Sequence, residues 1–207
     1  MEIHPPHAIR SVKDLLLQLF VITLGIIIAL SLEGVLETIH HGSLRREAVA
    51  NLLTEIRENR PRLAHTLAEI PNTQGQLQVL LSVVQDLRAG RKPSVQSFDL
   101  TWYLTELHST SWTSATETGA TSYMDYAEVK RYTELYDLQR EYVAIEDRAF
   151  QAKLGVDALE VLADRAKSGK LTETELDTAE HAISLAMAEL LAERDIGTAL
   201  RQQYDKF

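Results

Sequence analysis

From Leu15 to Leu32 the chain carries no charge, and only Gln18, Thr23 and Ser31 interrupt its apolar residues. Eighteen residues at ~1.5 Å each span ~27 Å as a helix, close to the hydrocarbon thickness of a thin bilayer. In lipid a single segment must satisfy its own backbone, which only a helix does. The sequence therefore predicts a transmembrane helix over residues 14–39. Before it lies a loose tail, residues 1–13, with Pro5 and Pro6; after it lies a helical domain, residues 40–207. A cleaved signal peptide is the main rival reading, with Arg10 and Lys13 as its basic start and Ala29-Leu30-Ser31 as its cut, and a buried core helix of a soluble protein is the third. The length of the apolar run and the lack of a helix breaker before that cut oppose cleavage. Arg10 and Lys13 flank one end of the span and Arg45 and Arg46 the other, so positive charge orients it only weakly. A short basic tail ahead of an acidic domain favours a bacterial inner-membrane protein whose soluble part is periplasmic.

Of the 30 acidic residues, all but Glu2, Asp14, Glu33 and Glu37 lie from Glu47 onward, and the net charge is −9. A nucleic-acid surface needs the opposite sign. The absence of cysteine removes disulfides, thiol catalysis and Cys-ligated zinc. An apolar share of 45% supports a folded core.

The period along the chain is helical throughout, which predicts an all-α fold: the N-terminal transmembrane helix continues into an elongated antiparallel helical bundle. One heptad seam runs Ile28, Leu32, Val35, Ile39, Gly42, Arg46, Val49, Leu53, Ile56, Arg60, Leu63, Leu67, Ile70. Pro61 predicts a kink or restart near Asn59. Thr73 with Gln76 predicts the N-terminus of a second helix to Ala89, closed by Gly90 and Pro93. Asp99–His108 reads as a short helix. Ser111–Gly119 reads as another, ended by Gly119 in a left-handed conformation. Asp125 with Glu128, and Met124 with Val129, predict the start of a long helix to about Ser168, with a seam of Leu135, Leu138, Tyr142, Ile145, Ala149, Ala152, Val156, Leu159, Ala163 and Ala166. Gly169 ends it. Thr172 with Glu175 opens a last helix through Leu176, Ala179, Ile183, Ala186 and Leu190 to about Tyr204, antiparallel to the one before.

Glu33, Glu37, His40 and His41 share a broad face at the end of the apolar run. Glu37 and His40 have the Glu-x-x-His spacing of carboxylate-bridged metal bundles, which need several helices to contribute ligands. These four are the metal-ligating candidates, and an interfacial cluster at the membrane edge is the simpler reading. Gln18, Gly25 and Ala29 lie together as a small-residue contact face for a membrane-helix partner. Trp112, Tyr123 and Tyr126 mark an aromatic elbow suited to a binding contact, because rigid aromatics dominate interface hot spots. The competing role for Trp112 is to plug the bundle core. His65, His108 and His181 read as isolated surface or capping residues. No nucleophile elbow, phosphate loop, dinucleotide fingerprint or zinc-protease motif occurs, so no catalytic residue and no cofactor are assigned.

Two stretches together carry a resemblance. One is Gly25-Ile26-Ile27-Ile28-Ala29-Leu30, then Glu33, His40-His41 and Glu55-Ile56-Arg57-Glu58-Asn59-Arg60. The other is Trp112 through Thr118-Gly119-Ala120, then Met124-Asp125-Tyr126 and Tyr132 to Tyr136. The chain up to about Tyr142 resembles a group of bacterial single-pass membrane proteins of the domain-of-unknown-function kind. They pair a Gly-Ile-x-Ile-Ala-Leu-like anchor with a helical domain holding a Thr-Gly elbow. The resemblance implies a fold and a membrane, and no mechanism.

These readings converge on a membrane-anchored helical interaction or accessory subunit of a bacterial envelope complex. It would sit in the lipid bilayer as a homo-oligomer or beside a membrane-protein partner, and would not bind nucleic acid. The alternatives are a sensory ligand-binding bundle and a metal-dependent enzyme at the membrane edge.

Overall fold

The computed structural model describes residues 12–92, 100–162, 165 and 171–207. The expectations at Pro93, Asp99, Ala163, Ala166, Ser168, Gly169 and nearly all of the N-terminal tail fall outside them. The described chain is all-α, with no strand. Its helices are α1 (Val12–Arg88), α2 (Thr110–Glu117), α3 (Tyr126–Asp157) and α4 (Glu173–Tyr204), with 3-10 turns at Ala120–Tyr123 and Ala158–Leu162. Two compact units divide the chain, the first ending at Glu47 and the second comprising Ala48–Phe207.

In the first unit every large apolar side chain from Leu15 to Ile39 is exposed. The hydroxyls inside this stretch are satisfied within the helix. Thr23 donates to the Leu19 carbonyl at 2.8 Å, Ser31 to Ile27 at 2.7 Å and Thr38 to Gly34 at 2.8 Å. This segment is long and apolar enough to cross a membrane.

The second unit is built on α1 from Ala48, α3 and α4. Helices α3 and α4 form the expected antiparallel hairpin: Gln139 meets Tyr204 and Arg148 meets Glu189. Helix α1 is antiparallel to α4 as well, since Arg60 meets the Tyr204 carbonyl and Arg88 reaches Glu173, Asp177 and Glu180. Glu55 meets Tyr136 and Asn59 meets Gln139, so α1 and α3 run parallel. A parallel pair needs a return connection, and residues 100–109 supply it as an extended strap.

The expected short helix at Asp99–His108 is therefore corrected, and length explains why. Asn59 bonds His108 and Thr73 bonds Thr101. Those α1 partners lie about 21 Å apart along a helix. The intervening strap covers about 23 Å when extended, but would cover only about 11 Å as a helix. Thr101, Trp102, Tyr103 and Thr105 are also residue types that suit extended backbone.

Helix α1 is continuous, so the expected restart near Asn59 and the new helix at Thr73 do not occur. Pro61 and Pro71 both lie inside it on exposed positions, where water can meet the carbonyls they leave unpaired. Gly90 follows the helix with φ 68°, as its C′ role requires. Gly119 has φ 73° and ends α2 as expected. Asp125 precedes α3, but its side chain makes no capping bond, so the capping box there is not formed. Met124 and Val129 do pack in one cluster. The predicted continuation of α3 to Ser168 is corrected too: the α-helix stops at Asp157, two residues after Gly155, and tightens into the 3-10 turn. At α4 the capping box is complete, with Thr172 Oγ1 accepting from Glu175 N–H and the Glu175 carboxylate accepting from Thr172 N–H.

The buried stripe of α1 is Leu52, Ile56, Asn59, Leu63, Thr66, Ile70, Thr73, Leu77 and Val84. Ile56, Leu63 and Ile70 of the expected seam are in it, whereas Leu53, Arg60 and Leu67 are not fully buried. On α3 the buried positions are Gln139 and Glu146 where Leu138 and Ile145 were expected. All five expected α4 positions are buried.

Gly197 packs α4 tightly against Leu67 of α1 and Tyr142 of α3. A Cβ there would lie 2.8 Å from Leu67 Cδ2 and 2.9 Å from Tyr142 Cε2, while one on Gly75 meets nothing within 4 Å. Both lie within helices, where alanine is intrinsically favoured by about 1 kcal/mol. Gly75→Ala should therefore stabilise the protein by about 0.5–1 kcal/mol. Gly197→Ala should destabilise it by about 1–3 kcal/mol through overpacking. Urea denaturation of the two variants checks the difference in sign.

Candidate functional site

The second unit holds two apolar clusters. One is centred on Leu52, Ile56, Leu63, Leu135 and Leu200, and the other on Ile70, Leu77, Val156, Ile183 and Leu190. Polar side chains sit beside and between them at positions a helical bundle normally fills with leucine. Glu55, Asn59, Thr66, Thr73, Thr105, Gln139, Glu146 and Glu193 are all buried.

Most of this polar set reads the backbone of the strap and of α2's first turn. Glu55 Oε2 accepts from Ser111 N–H at 2.8 Å. Asn59 accepts from His108 N–H at 2.9 Å and donates to its carbonyl at 2.7 Å. Gln139 donates to the same carbonyl at 2.9 Å. Arg62 donates to the Glu106 carbonyl at 2.9 Å and to His108 Nε2 at 2.8 Å. Glu146 Oε1 accepts from Thr105 N–H at 2.5 Å. Thr73 donates to the Thr101 carbonyl at 3.0 Å, and Gln76 accepts from Thr101 N–H at 2.9 Å. On α1 Glu55, Asn59, Arg62 and Thr66, and again Thr73 and Gln76, are spaced by four or three residues, one polar ridge beside the apolar stripe. His108, expected as an isolated surface or capping residue, is held by its backbone and its ring.

The centre of the polar layer is the Tyr142 hydroxyl. It lies 2.8 Å from Thr105 Oγ1, 3.2 Å from Glu146 Oε1 and 3.4 Å from Glu193 Oε1. Thr105 Oγ1 in turn donates to Thr66 Oγ1 at 2.7 Å. With the Thr105 proton turned to Thr66, one phenolic proton faces three acceptors, the Thr105 hydroxyl and two buried carboxyls. Glu193 is 1% exposed, and its Oε2 has no hydrogen-bond partner. Burial, and then the neighbouring Glu146, push the Glu193 carboxyl up to about 8. Burial also raises Glu146, against the opposing bonds from Thr105 and Tyr142. The Tyr142 phenol is raised by burial and by Glu146, and that of Tyr136 by burial and its bond to Glu55.

Glu193 lines a cavity of about 10 Å³ whose other polar walls are Thr66, Glu69, Thr73, Trp102 and Tyr103. On the outer side of the strap an open groove of about 850 Å³ runs past Arg57, Arg62, His65, Tyr103 and Glu106. The small cavity has room for one water-sized species; the groove is large enough for a small molecule or a peptide side chain.

The residues singled out from sequence lie elsewhere. Glu33, Glu37 and His40 are exposed and His41 is half-buried. The Glu37 contact is to His41, at 3.7 Å, rather than to His40. Among the described residues no group of three or more His, Asp or Glu side chains converges as metal ligands. Gln18, Gly25 and Ala29 are exposed. Trp112 is half-buried and stacks on Tyr136, with centroids 5.5 Å apart and an interplanar angle of 5°. Tyr123 and Tyr126 are 39% and 84% exposed, so of the aromatic elbow they are the more open to contact. Leu138 and Ile145, next to Gln139 and Glu146, satisfy the heptad better, so the sequence pattern turns that polar pair outward. The only sequence signal of the buried polar set is the recurrence of polar residues at Glu55, Asn59, Thr66 and Thr73.

The chain matches no protein-family model, no curated protein and no solved structure.

An unfolded glutamate titrates near pH ~4.3. Between there and about pH 8 the folded chain keeps the Glu193 proton that the unfolded chain loses. Stability should therefore fall as pH rises through this window, by up to ~1.4 kcal/mol per pH unit, and level off above it. Glu193→Gln should remove most of that slope, and its advantage over the parent should grow from pH 5 to pH 8. Urea denaturation in choline chloride at fixed ionic strength measures it; parallel profiles would rule it out.

Proposed function

We propose that this chain is a single-pass, membrane-anchored helical accessory subunit of a bacterial envelope complex, of the single-pass kind it resembles. The exposed apolar stretch of α1 carries the reading. Sixteen large apolar side chains between Leu15 and Ile39 are at least 44% exposed. They lie on all sides of the helix, which suits lipid rather than the one-sided stripe of a soluble helix. Covering each side chain is worth about 1.5–3 kcal/mol, so water is a poor surrounding for the whole segment. Lipid is its first partner. The Gln18–Gly25–Ala29 face supplies a contact for a second copy or another membrane helix, and the short basic N-terminus favours a periplasmic second unit.

An accessory role is supported over catalysis by access. The unusual titratable groups, Glu146, Glu193 and Tyr142, are buried beside a cavity of about 10 Å³, too small for an organic substrate. A sensory, ligand-binding role draws instead on the 850 Å³ groove with its Arg57, Arg62 and His65.

In bacterial membranes the full chain should resist carbonate extraction and retain its first residues by mass spectrometry. Release by carbonate, or a mature N-terminus at Leu32, would contradict the anchor. Replacing Gly25 and Ala29 together with leucine should shrink a detergent-stable complex, as bulk keeps the backbones apart. An unchanged complex size would exclude that face.

A further inference from the structure

We propose that the cavity bounded by Thr66, Thr73 and Glu193 binds one hard monovalent cation of the sodium class, with Glu193 Oε2 as its charged ligand. Thr73 spends its hydroxyl proton on the Thr101 carbonyl, at 3.0 Å. Thr105 donates to Thr66 at 2.7 Å, and Tyr142 lies against Glu193 Oε1 at 3.4 Å. Glu193 Oε2 is left without a partner on a side chain that lines the cavity and is 1% exposed. Thr73 therefore offers the space lone pairs, and so does Glu193 once ionised. Glu69, half-buried on the same wall, adds a second carboxylate. Beside the Trp102 indole and the apolar Ile70 and Leu190, the two carboxylates dominate the wall, and oxygen ligands of that charge repel anions and favour a hard cation.

Size and charge narrow the class. About 10 Å³ is room for one atom-sized occupant, which excludes organic ammonium ions. A divalent ion takes six to eight oxygens and typically several carboxylates. No cluster of three acidic or histidine ligands exists among the described residues. A water molecule fits the space but leaves an ionised Glu193 uncompensated, a costly arrangement for a buried charge. A monovalent cation neutralises it.

Proton and cation then compete for one carboxyl. Glu193 faces Thr66, Glu69 and Thr73 of α1, Trp102 and Tyr103 of the strap, and Tyr142 and Glu146 of α3. None of these is cationic, so among the described residues no side chain facing Glu193 neutralises it. With the Glu193 carboxyl pushed up to about 8, cation binding should strengthen as pH rises through that value.

The test uses the full chain in a non-ionic maltoside detergent. Melting is followed in sodium chloride and in choline chloride at equal ionic strength, at pH 6 and pH 9, with ²³Na line widths recorded on the same samples. Sodium should raise the Tm saturably at pH 9 and much less at pH 6. Protein should broaden the ²³Na line at pH 9, and acidification to pH 6 should reverse it. Glu193→Gln should abolish the sodium-specific Tm shift and Thr73→Val should reduce it. Equal melting in sodium and choline at pH 9 would show that the cavity holds only water and overturn the proposal. A sodium shift that survives Glu193→Gln would overturn it as well. If Glu193→Gln does not fold, the ²³Na experiment on the parent decides: no pH-reversible broadening means no site.

Discussion

The strap at residues 100–109 carries the chain back along two parallel helices, and within it only Leu107 N–H finds a backbone partner, the Thr105 carbonyl at 3.0 Å. Each buried peptide N–H or carbonyl left unpaired costs about 1–3 kcal/mol. The helices answer with side chains. Glu55, Asn59, Arg62, Thr73 and Gln76 on α1, with Gln139 and Glu146 on α3, meet the strap and the first turn of α2 between Thr101 and Ser111. The polar residues that look misplaced in a bundle core are the consequence of that topology. Reversing the direction of α3 would remove the need for both.

Meeting the strap has its own cost. Glu146 and Glu193 share the Tyr142 hydroxyl in a layer with no cationic side chain among the described residues, and burial raises both carboxyls. Glu146 is compensated by Thr105 N–H. Glu193 receives only the long contact from Tyr142, and its second oxygen has no partner. A bundle selected for stability alone would place leucine there, because isosteric apolar replacements of buried charges are often stabilising. Gly197, one turn along α4, admits the Tyr142 ring that reaches this layer.

Much of this was legible in the sequence where local chemistry and global packing agree. The capping box at Thr172, the left-handed Gly90 and Gly119, the α4 core positions and the apolar span all follow from short-range rules. What the sequence hid is the strap. Its aromatic and threonine-rich stretch has no alternation to mark a strand, because its partners are side chains rather than another strand. The same concealment moved the seams: Leu138 and Ile145 complete a heptad better than Gln139 and Glu146, yet the strap draws the polar pair inward. Thr73 and Gln76 mimic a helix start while serving as partners for Thr101.

Amide hydrogen exchange of the native chain, resolved at Thr105, His108 and Ser111, tests the side-chain clasp most directly. These three amides donate to Glu146, Asn59 and Glu55. They should exchange only when the second unit opens, with protection close to that of the α3 and α4 core amides. Exchange at the rate of an exposed loop would show that the strap is not clasped, and the explanation of the buried polar layer would fail.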